Sequence, residues 1–456
     1  MKTLKIFLSL VLLASPIMAK FKQGNAPAGR WQQYSKAMDA GYSQAGLDSA
    51  RAFFNKSRAA GLFIVHRGNV LAAWGETNRR FICASIRKSF ISALFGMAVG
   101  EKAIDLGKSL QQLQINDIQK LSEIEKQATV KHLLTARSGV FHPAAYSPRN
   151  MIANLPERGS HNPGEFWYYN NWDFNVLATI FKHETGKGVF EAFEKEIAKP
   201  LRMQDLLIEH TYYRLEPNKS EHPAYLFRMT ARDMARFGLL YLNKGAWRGK
   251  QIIPSPWIAT STQAVTKETG RHSALGGYGY LWWVSAPIRG QDMYFASGSG
   301  GQKIAVLPEA ELVVVQVVDT YQNDNVDHNE FKNLIDLLLA ARVSEPATSP
   351  ALVSLKQKDR TSPKGVKLTE KITRQYHGTF RHRFLGEFKI SGSGGRLKME
   401  AGIGVFDLTA TAENVFWVPD IEQSAVFKQA QTDDKKFTID PVFDENRRVV
   451  KVIFNY

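Results

Sequence analysis

The spacing of apolar residues predicts how the chain begins. Helical spacing over residues 47–60 indicates a first helix, and the apolar run 61–74, broken at 67–69, indicates a β-hairpin. Residues 85–100 return to helical spacing, with one apolar face that ends at Gly100. We therefore expect a helix, a hairpin and a second helix in that order.

In the rest of this region the spacing of apolar residues changes from helical to strand-like and back to helical. Residues 105–260 carry mainly helical patterns separated by polar and proline-rich loops, whereas 278–284, 303–307 and 312–318 are strand candidates. An amphipathic helix is predicted over residues 326–342. Because strands open and close the region while helices fill its middle, we expect one sheet built from both ends, with a helical lobe inserted.

Both ends of the chain differ from this pattern. Residues 1–19 combine a positive start with a short apolar stretch, which is typical of a signal peptide, although a buried N-terminal helix is the alternative. We therefore expect an exported protein, periplasmic or secreted, whose main domain covers 20–343. Residues 344–370 have the composition of a linker, and 371–456 show the short strands and turns of a small all-β domain. No later run reaches the ~18 apolar residues that a transmembrane helix needs.

The formal net charge is +16, and 44% of the residues are hydrophobic. This composition suits a globular protein with a large core, and the positive charge favours an anionic partner such as an envelope polymer. The basic residues are dispersed, and the chain has neither a zinc-finger nor an RNA-binding signature, which argues against nucleic acid. A solvated basic surface is the simplest interpretation.

Cys83 is the only cysteine, so no disulfide can form within the chain. A catalytic thiol needs a partner base, and the sequence assigns none to Cys83. We therefore interpret Cys83 as a small buried residue rather than a nucleophile.

Ser85 and Lys88 form the only Ser-x-x-Lys pattern in the chain. They open the helix predicted after the hairpin, and a spacing of three residues places both side chains on one helix face. A serine hydroxyl becomes a strong nucleophile when a neighbour takes its proton, and a lysine can do so when burial or nearby positive charge lowers its pKa. A helix-capping serine beside an exposed lysine is the alternative.

Three motifs follow one another along the chain: Ser-x-x-Lys at 85–88, Leu-Leu-Thr-Ala-Arg-Ser-Gly at 133–139, and Pro-Gly-Glu-Phe-Trp-Tyr-Tyr-Asn-Asn at 163–171. Together they resemble the serine β-lactamase and penicillin-binding-protein superfamily, in its class-C-like branch of esterases, D-amino-acid peptidases and a nylon-oligomer hydrolase. The resemblance covers about residues 45–342. It implies an α/β (α+β) fold of the β-lactamase/transpeptidase type, with a mainly antiparallel sheet flanked by helices, a helical lobe, an active site in the cleft between them, and no cofactor or metal.

The resemblance also implies a Tyr-x-Asn motif after the nucleophile, and two registers fit: Tyr168 with Asn170, and Tyr169 with Asn171. The family's downstream aromatic and apolar residues match only the second register, so we assign Tyr169 and Asn171. Tyr169 would relay protons between Ser85, the leaving group and the incoming water, and Asn171 would orient the lysine and bind the substrate. A tyrosine in an aromatic core is the alternative for Tyr169.

The family's third motif is Lys-Thr-Gly or His-Thr-Gly on an edge strand, and its counterpart here is Ala296-Ser297-Gly298. Ala296 stands where the family has a cation, which argues against efficient recognition of a substrate carboxylate such as that of a β-lactam. The Ser299 N–H is expected to pair with that of the nucleophile as an oxyanion hole. A register of Gly298-Ser299-Gly300, or a glycine-rich turn without chemistry, is the alternative.

These residues predict an exported serine hydrolase that cleaves an ester or amide bond of a small-molecule or peptide-like substrate through a Ser85 acyl-enzyme. A peptidoglycan-directed D-peptidase or β-lactamase is one alternative, and a catalytically silent protein that binds an envelope ligand is another. The presence of Ser85, Lys88 and a Tyr-x-Asn motif argues against the silent protein, whereas Ala296 argues against the β-lactamase.

Overall fold

Helices occupy mainly the middle of the chain in the structure, a computed structural model. It describes residues 26–320, 325–357, 364–374, 376–382, 386–393, 396–401, 404–412, 415–418, 423–428, 438–443 and 449–455. The α-helices are α1 (Gln44–Lys56), α2 (Arg87–Gly100), α3 (Val130–Leu134), α4 (Arg149–Ala153), α5 (Asn171–Thr185), α6 (Val189–Ala192), α7 (Lys199–Leu201), α8 (Ala231–Leu242), α9 (Ser255–Ser261), α10 (His328–Ala340) and α11 (Glu370–Arg374).

Most strands belong to two large sheets: one is built from strands before and after the helical region, and the other from strands near the end of the chain. They are β1 (Gln32–Tyr34), β2 (Ala59–His66), β3 (Asn69–Gly75), β4 (Phe81–Ile82), β5 (Tyr212–Glu216), β6 (Ser220–Leu226), β7 (Arg228–Met229), β8 (Ala246–Trp247), β9 (Lys250–Gln251), β10 (Gly277–Tyr278), β11 (Trp283–Ile288), β12 (Gln291–Gly298), β13 (Gln302–Leu307), β14 (Leu312–Val318), β15 (Leu352–Ser354), β16 (Gly378–His382), β17 (Gly386–Ser393), β18 (Arg396–Ala401), β19 (Gly404–Ala412), β20 (Val415–Val418), β21 (Gln423–Lys428), β22 (Thr438–Phe443) and β23 (Val449–Asn455).

The main sheet joins the two ends of the predicted hydrolase region, as expected. Within the described residues its order is β10-β11-β12-β13-β14-β2-β3-β1-β15, and within this sheet only the described pair of β1 with β3 is parallel. The predicted hairpin of β2 and β3 is confirmed. Its turn residues Arg67 and Gly68 have φ angles of 49° and 82°, the left-handed conformation that a two-residue hairpin turn requires.

The two faces of this sheet pack against different helices. Gly238 of α8 lies so close to the sheet that an added Cβ would be 2.6 Å from Val313 and 2.9 Å from Ile304. On the other face, the ring of Phe295 stacks on His328 of α10 with a centroid distance of 4.9 Å. Because side chains alternate along a strand, the residues next to Ile304 point away from α8.

The prediction of one strand over residues 278–284 is wrong. The structure has two short strands there, β10 and β11, which pair as an antiparallel hairpin. Leu281 in the turn has a φ of 65°, a left-handed conformation that an apolar side chain rarely adopts. Gly279 is so close to Ser261 that an added Cβ would lie 2.3 Å from its carbonyl oxygen. Tertiary contacts therefore impose a turn that the apolar sequence does not signal.

Other boundaries also differ from the predictions. The first helix, α1, begins earlier than predicted, because Ser43 caps it by accepting a hydrogen bond from the Gly46 N–H. It also ends earlier than residue 60, because β2 already starts at Ala59. The mainly helical stretch 105–260 also contains the short strands β5 to β9. The strand β12 was not predicted as a whole, because only its last residues were assigned to a motif.

A second sheet near the C-terminus confirms the expected small all-β part of the fold. Its order in the described residues is β16-β17-β18-β19-β20-β21-β23-β22. It has its own apolar core, which includes Phe388, Ile390 and Phe406. The Arg228 guanidinium, on β7, lies 5.3 Å from the ring centroid of Phe406, so this sheet contacts the strand beside the candidate nucleophile. No helix in the described part of the chain is long and apolar enough to cross a membrane, and the predicted signal peptide lies outside that part.

Candidate active site

The turn that carries Ser85 is fixed by backbone contacts. Strand β4 pairs with β7, and the Cys83 N–H donates a hydrogen bond of 2.9 Å to the Phe227 carbonyl. Ala84 has a φ of 47°, an uncommon conformation for a residue other than glycine. The chain then forms a 3₁₀ turn over Ala84–Ile86 and enters α2. Ser85 is partly exposed, whereas its neighbours on both sides are buried, so the turn leaves this residue accessible.

Ser85 and Lys88 are in direct contact. The Lys88 Nζ atom lies 2.8 Å from the Ser85 Oγ atom, and Lys88 is only 2% exposed. Nζ also lies 4.6 Å from the ring centroid of Tyr169 and 4.7 Å from that of Phe174. Burial lowers the pKa of Lys88 well below its ordinary value, and the charge of Arg87 lowers it further. The neutral amine is the form that can accept the Ser85 proton.

The Tyr169 hydroxyl also reaches Ser85. Burial raises the pKa of Tyr169 to about 12, and the hydrogen bond with Ser85 works in the opposite direction. The Tyr169 ring stacks on Trp283 with a centroid distance of 5.6 Å. Tyr168 instead donates a hydrogen bond of 2.7 Å to the Met151 carbonyl. Of the two registers considered for the Tyr-x-Asn motif, the structure brings the tyrosine of the second one to the nucleophile.

The two asparagines that follow have different positions. Asn170 caps α5: its Oδ1 accepts a hydrogen bond from the Trp172 N–H, and its side-chain amide donates to the Val140 carbonyl. The Asn171 side-chain amide donates a hydrogen bond of 2.6 Å to the Tyr146 carbonyl, rather than to the lysine as expected. The Asn171 Oδ1 is buried and accepts no hydrogen bond from the described residues. Asn171 thus fixes the loop around 146 and leaves one acceptor atom unused.

The Ala296-Ser297-Gly298 motif lies against the turn that carries Ser85. An added Cβ on Gly298 would be 2.5 Å from the Cys83 carbonyl oxygen, so only glycine fits at this approach. Strand β12 is not an edge strand, in contrast to the family pattern, although its pairing with β11 ends at Phe295 and residues 296–298 pair with β13. Ser299 follows the strand and is exposed. The geometry leaves both the strand end and the Ser299 backbone beside the turn that carries the nucleophile.

Lys303 is a neighbour of this motif that the sequence analysis missed. It lies directly opposite Ser297 in the β12–β13 ladder, and its Nζ donates a hydrogen bond of 2.7 Å to the Ser297 Oγ. Lys303 is 3% exposed, and burial lowers its pKa to about 7. Ala296 is buried on the other face. Position 296 has no cation, as expected, but an amine from the adjacent strand lies near this motif. Only the pairing register of β12 and β13 shows that Lys303 is this neighbour.

The second motif supports the segment that leads to Tyr169. The Arg137 Nε donates a hydrogen bond of 2.9 Å to the Gly164 carbonyl, and the Ser138 hydroxyl donates one of 2.6 Å to Asp173 on α5. Burial raises the pKa of Asp173 well above its ordinary value, because the Ser138 hydroxyl compensates only part of the cost of a buried carboxylate. The 133–139 segment therefore positions both ends of the Tyr-x-Asn region.

Cys83 has the environment of a buried packing residue. It is fully buried, and its Sγ lies 3.9 Å from the Phe81 carbonyl oxygen. Burial raises the pKa of the thiol, which disfavours the thiolate that a nucleophile needs. Within the described ranges, no group of three or more histidine, cysteine, aspartate or glutamate side chains is arranged to hold a metal ion.

Two curated proteins resemble parts of this chain. An uncharacterised protein of Alkalihalophilus pseudofirmus is 25% identical over 300 residues, which cover 58% of this chain and 84% of that protein. A 6-aminohexanoate-dimer hydrolase of Paenarthrobacter ureafaciens is 28% identical over 172 residues, which cover 35% of this chain and 41% of the hydrolase, so the match spans less than half of that enzyme.

A solved structure shares the fold. It is that of a Bacillus anthracis protein assigned as a 6-aminohexanoate-dimer hydrolase, with a TM-score of 0.53 and 23% identity over 70% of this chain and 88% of that one. The sequence model of the family described as Beta-lactamase matches residues 50–337, which is more than half of the chain and includes all three motifs. The chain therefore belongs to the β-lactamase family and is a serine hydrolase of the β-lactamase type.

Proposed function

We propose that this protein is an exported hydrolase that cleaves an ester or amide bond through an acyl-enzyme on Ser85. The observation that carries the proposal is the distance of 2.8 Å between Ser85 Oγ and Lys88 Nζ, together with the burial of Lys88. Burial favours the neutral amine, so Lys88 can accept the proton as Ser85 attacks the substrate carbonyl. The protein would thereby avoid the need for a histidine base.

Tyr169 is the proposed proton relay. Its hydroxyl interacts with Ser85 while its ring lies against Lys88, so it contacts both members of the pair. In acylation, Lys88 would take the Ser85 proton and return it through the Tyr169 hydroxyl to the departing alcohol or amine. In deacylation, the Tyr169 hydroxyl would accept a proton from the attacking water while it passes its own proton to neutral Lys88, and that proton would then return to Ser85.

The negative charge of the tetrahedral intermediate needs two donors. We assign these to the N–H groups of Ser85 and Ser299, because the first lies in the turn that opens α2 and the second follows the end of β12 against that turn. The positive end of the α2 dipole favours an oxyanion at the same place. Ser297 and Gly298 would then form the wall along which the substrate binds, with Asn171 opposite.

An ester or amide of a small-molecule or peptide-like substrate is the proposed substrate class. The 6-aminohexanoate-dimer hydrolase that resembles part of this chain is, by its name, an amide hydrolase, which supports this class. The predicted signal peptide favours a site of action in the periplasm or outside the cell, and the net charge of +16 would suit an anionic envelope polymer there.

A peptidoglycan-directed D-peptidase or β-lactamase is a second candidate, and Lys303 is the observation that favours it. Such substrates carry a carboxylate, which Ala296 cannot bind. The Lys303 amine, with a pKa of about 7, lies 2.7 Å from the Ser297 Oγ beside the same strand, on the face opposite that of Ala296. Hydrolysis of a D-Ala-D-Ala peptide, compared with that of the corresponding C-terminal amide, distinguishes this candidate from a general esterase or amidase.

Labelling with a fluorophosphonate tests the main proposal. Intact-mass analysis of the mature protein should show one adduct, which should be lost in Ser85→Ala and kept in Ser89→Ala. Ser89 is a matched control one turn along α2, because it is buried and its hydroxyl donates to the Leu281 carbonyl. No adduct on folded wild-type protein would contradict the hydrolase proposal and favour a silent binding protein, and an adduct on Ser85→Ala would show that another serine is the nucleophile.

A further inference from the structure

In the sequence, Arg87 lies between the candidate nucleophile Ser85 and its candidate base Lys88, and its side chain is fully buried. It is the first residue of α2, and its guanidinium has no solvent-exposed surface. The Nη2 atom donates a hydrogen bond of 3.1 Å to the Asn175 Oδ1, and the guanidinium carbon lies 4.4 Å from the ring centroid of Tyr225. Asn175 is fixed in turn, because its own amide donates to the Ala145 carbonyl. Both partners of this cation are therefore electrically neutral.

This environment is unfavourable for a cation in three separate ways. Among the described residues no carboxylate pairs with Arg87. Its partners are the neutral side chains of Asn175 and Tyr225, and its Nε and Nη1 atoms have no well-aligned acceptor. A buried charge without a counter-charge costs free energy, and the π face of Tyr225 offsets only part of that cost. The positive end of the α2 dipole repels a cation at the first helical position as well. Several unfavourable electrostatic features around one buried residue are typical of functional sites.

We propose that Arg87 is a positioning residue for the nucleophile, whose uncompensated charge keeps the Lys88 amine in the neutral form that accepts the Ser85 proton. The inference rests on the proposed function of this site. Arginine suits the role because its guanidinium stays protonated even when it is buried. The charge would thus remain constant while the neighbouring amine titrates.

The groups around Lys88 leave Arg87 as the principal source of charge. The pKa of Lys88 is lowered first by burial and then by the charge of Arg87. His272 interacts electrostatically with Lys88 and lies 5.5 Å from the Tyr169 ring centroid; burial lowers its pKa to about 4, so it is neutral near pH 7. Burial raises the pKa of Asp173 on α5 well above its ordinary value, and Tyr169 has a pKa of about 12. His272 and Tyr169 are therefore uncharged at neutral pH, and the Asp173 carboxyl cannot supply a positive charge in place of that of Arg87.

The inference predicts a specific change with pH. Lys88 must be neutral to act as a base, so the rate of reaction at Ser85 should rise as pH increases through the Lys88 pKa. Removal of the Arg87 charge raises that pKa, because protonated Lys88 no longer meets a neighbouring cation. The acid side of the profile should then move to higher pH, while the rate on the alkaline side should change little.

The second-order rate of fluorophosphonate labelling should be measured from pH 5 to 9 for wild type, Arg87→Met and Arg87→Gln. We expect a loss of roughly tenfold at pH 6 that shrinks to within about twofold at pH 9. Both variants should keep or exceed the wild-type melting temperature, because they remove a buried unpaired charge. Arg236→Met is the matched control: Arg236 is also buried in a helix, over the ring of Trp31, and its loss should lower the melting temperature without moving the pH profile.

Each other outcome is informative. A loss of the same size at every pH, or failure of both Arg87 variants to fold, would show a purely structural role and overturn the inference while the proposed function stands. Absence of labelling in the wild type itself would overturn the proposed function, and the inference with it.

Discussion

Lys303 lies directly opposite Ser297 in the main sheet, with its Nζ donating a hydrogen bond of 2.7 Å to the Ser297 Oγ. The pair is on the face of the sheet where Phe295 stacks on His328 of α10, and the Lys303 Nζ lies 5.1 Å from the Phe295 ring centroid. The opposite face holds Ala296, the residue at the cation position of the family motif. A buried amine therefore lies near this strand, but it comes from the adjacent strand and lies on the face opposite Ala296.

The buried Lys303 amine should make the stability of the protein depend on pH. Burial lowers the Lys303 pKa from 10.5 to about 7 in the folded state, so the unfolded chain binds more protons between these two values. This destabilising contribution is complete below about pH 7 and disappears as pH rises towards 10.5. We expect Lys303→Met to raise the free energy of unfolding by up to roughly 4 kcal/mol at pH 6, and by much less at pH 10. Urea unfolding at both pH values measures this difference.

Lys250→Met is the control for this prediction, because Lys250 is exposed on β9 and its replacement should leave the pH dependence unchanged. Parallel curves of unfolding free energy against pH for wild type and Lys303→Met would contradict the assigned burial of the amine.

Much of the fold followed from apolar periodicity, for reasons that particular elements illustrate. Strand β14 and the hairpin of β2 and β3 are buried along nearly their whole length, so their sequences are continuous apolar runs that only a central strand explains. The turn at 279–282 is the contrary case. Its conformation comes from contacts of Gly279 with a distant carbonyl, and no local residue type signals it.

The residues of the candidate site also include some that local sequence spacing predicts and others that only tertiary packing brings together. Ser85 and Lys88 are three residues apart on one turn of chain, so local geometry alone predicts that they meet. Lys303 could not be found like this, because its relation to Ser297 depends on the pairing register of two strands. Arg87 was visible beside Lys88 in the sequence, but its burial without a carboxylate depends on the packing of α5 and β6 around it.

Lys88 should tolerate no replacement that cannot accept a proton at neutral pH. Lys88→Arg places a guanidinium that stays protonated at the position of the base, and Lys88→Met removes the base. We expect both variants to lose about a thousandfold in the rate of fluorophosphonate labelling and in kcat/KM for any ester substrate found. Circular dichroism should show a folded protein in each case. Activity of Lys88→Arg within tenfold of wild type would exclude Lys88 as the base.

Tyr169 and Tyr168 offer a matched pair of variants. Tyr169→Phe removes the hydroxyl that interacts with Ser85, and we expect kcat to fall by about a hundredfold or more with the fold intact. Tyr168→Phe removes a hydrogen bond of 2.7 Å to the Met151 carbonyl, which should cost about 1 kcal/mol of stability and little activity. Steady-state kinetics and thermal melts of both variants check this. The reverse pattern would assign the motif to the Tyr168 register.

Gly298 should be needed for activity through its lack of a side chain. An alanine Cβ would lie 2.5 Å from the Cys83 carbonyl oxygen and 2.9 Å from the Gln302 Cβ, so β12 or the nucleophile turn must move. We expect Gly298→Ala to cost about 1–3 kcal/mol of stability and to slow labelling of Ser85 at least tenfold. Gly188→Ala is the control, because the nearest atom there is 4.0 Å away. Normal labelling of Gly298→Ala would show that this contact does not set the geometry of the nucleophile.

Burial raises the pKa of Asp173 well above the ordinary 3.8, although the Ser138 hydroxyl, at 2.6 Å, and the Ser138 backbone N–H both donate to it, so we expect the folded protein to favour its protonated form. The folded state then binds more protons than the unfolded chain above pH 4, so this group lowers stability progressively as pH rises. Asp173→Asn resembles the neutral acid, and we expect it to match wild type near pH 4 and to exceed it at pH 8 in urea unfolding. Asp292→Asn, at an exposed position, should show no such trend. If Asp173→Asn were instead least stable relative to wild type at pH 8, the folded protein would contain an ionised Asp173, and the neutral surroundings assigned to Lys88 would be wrong.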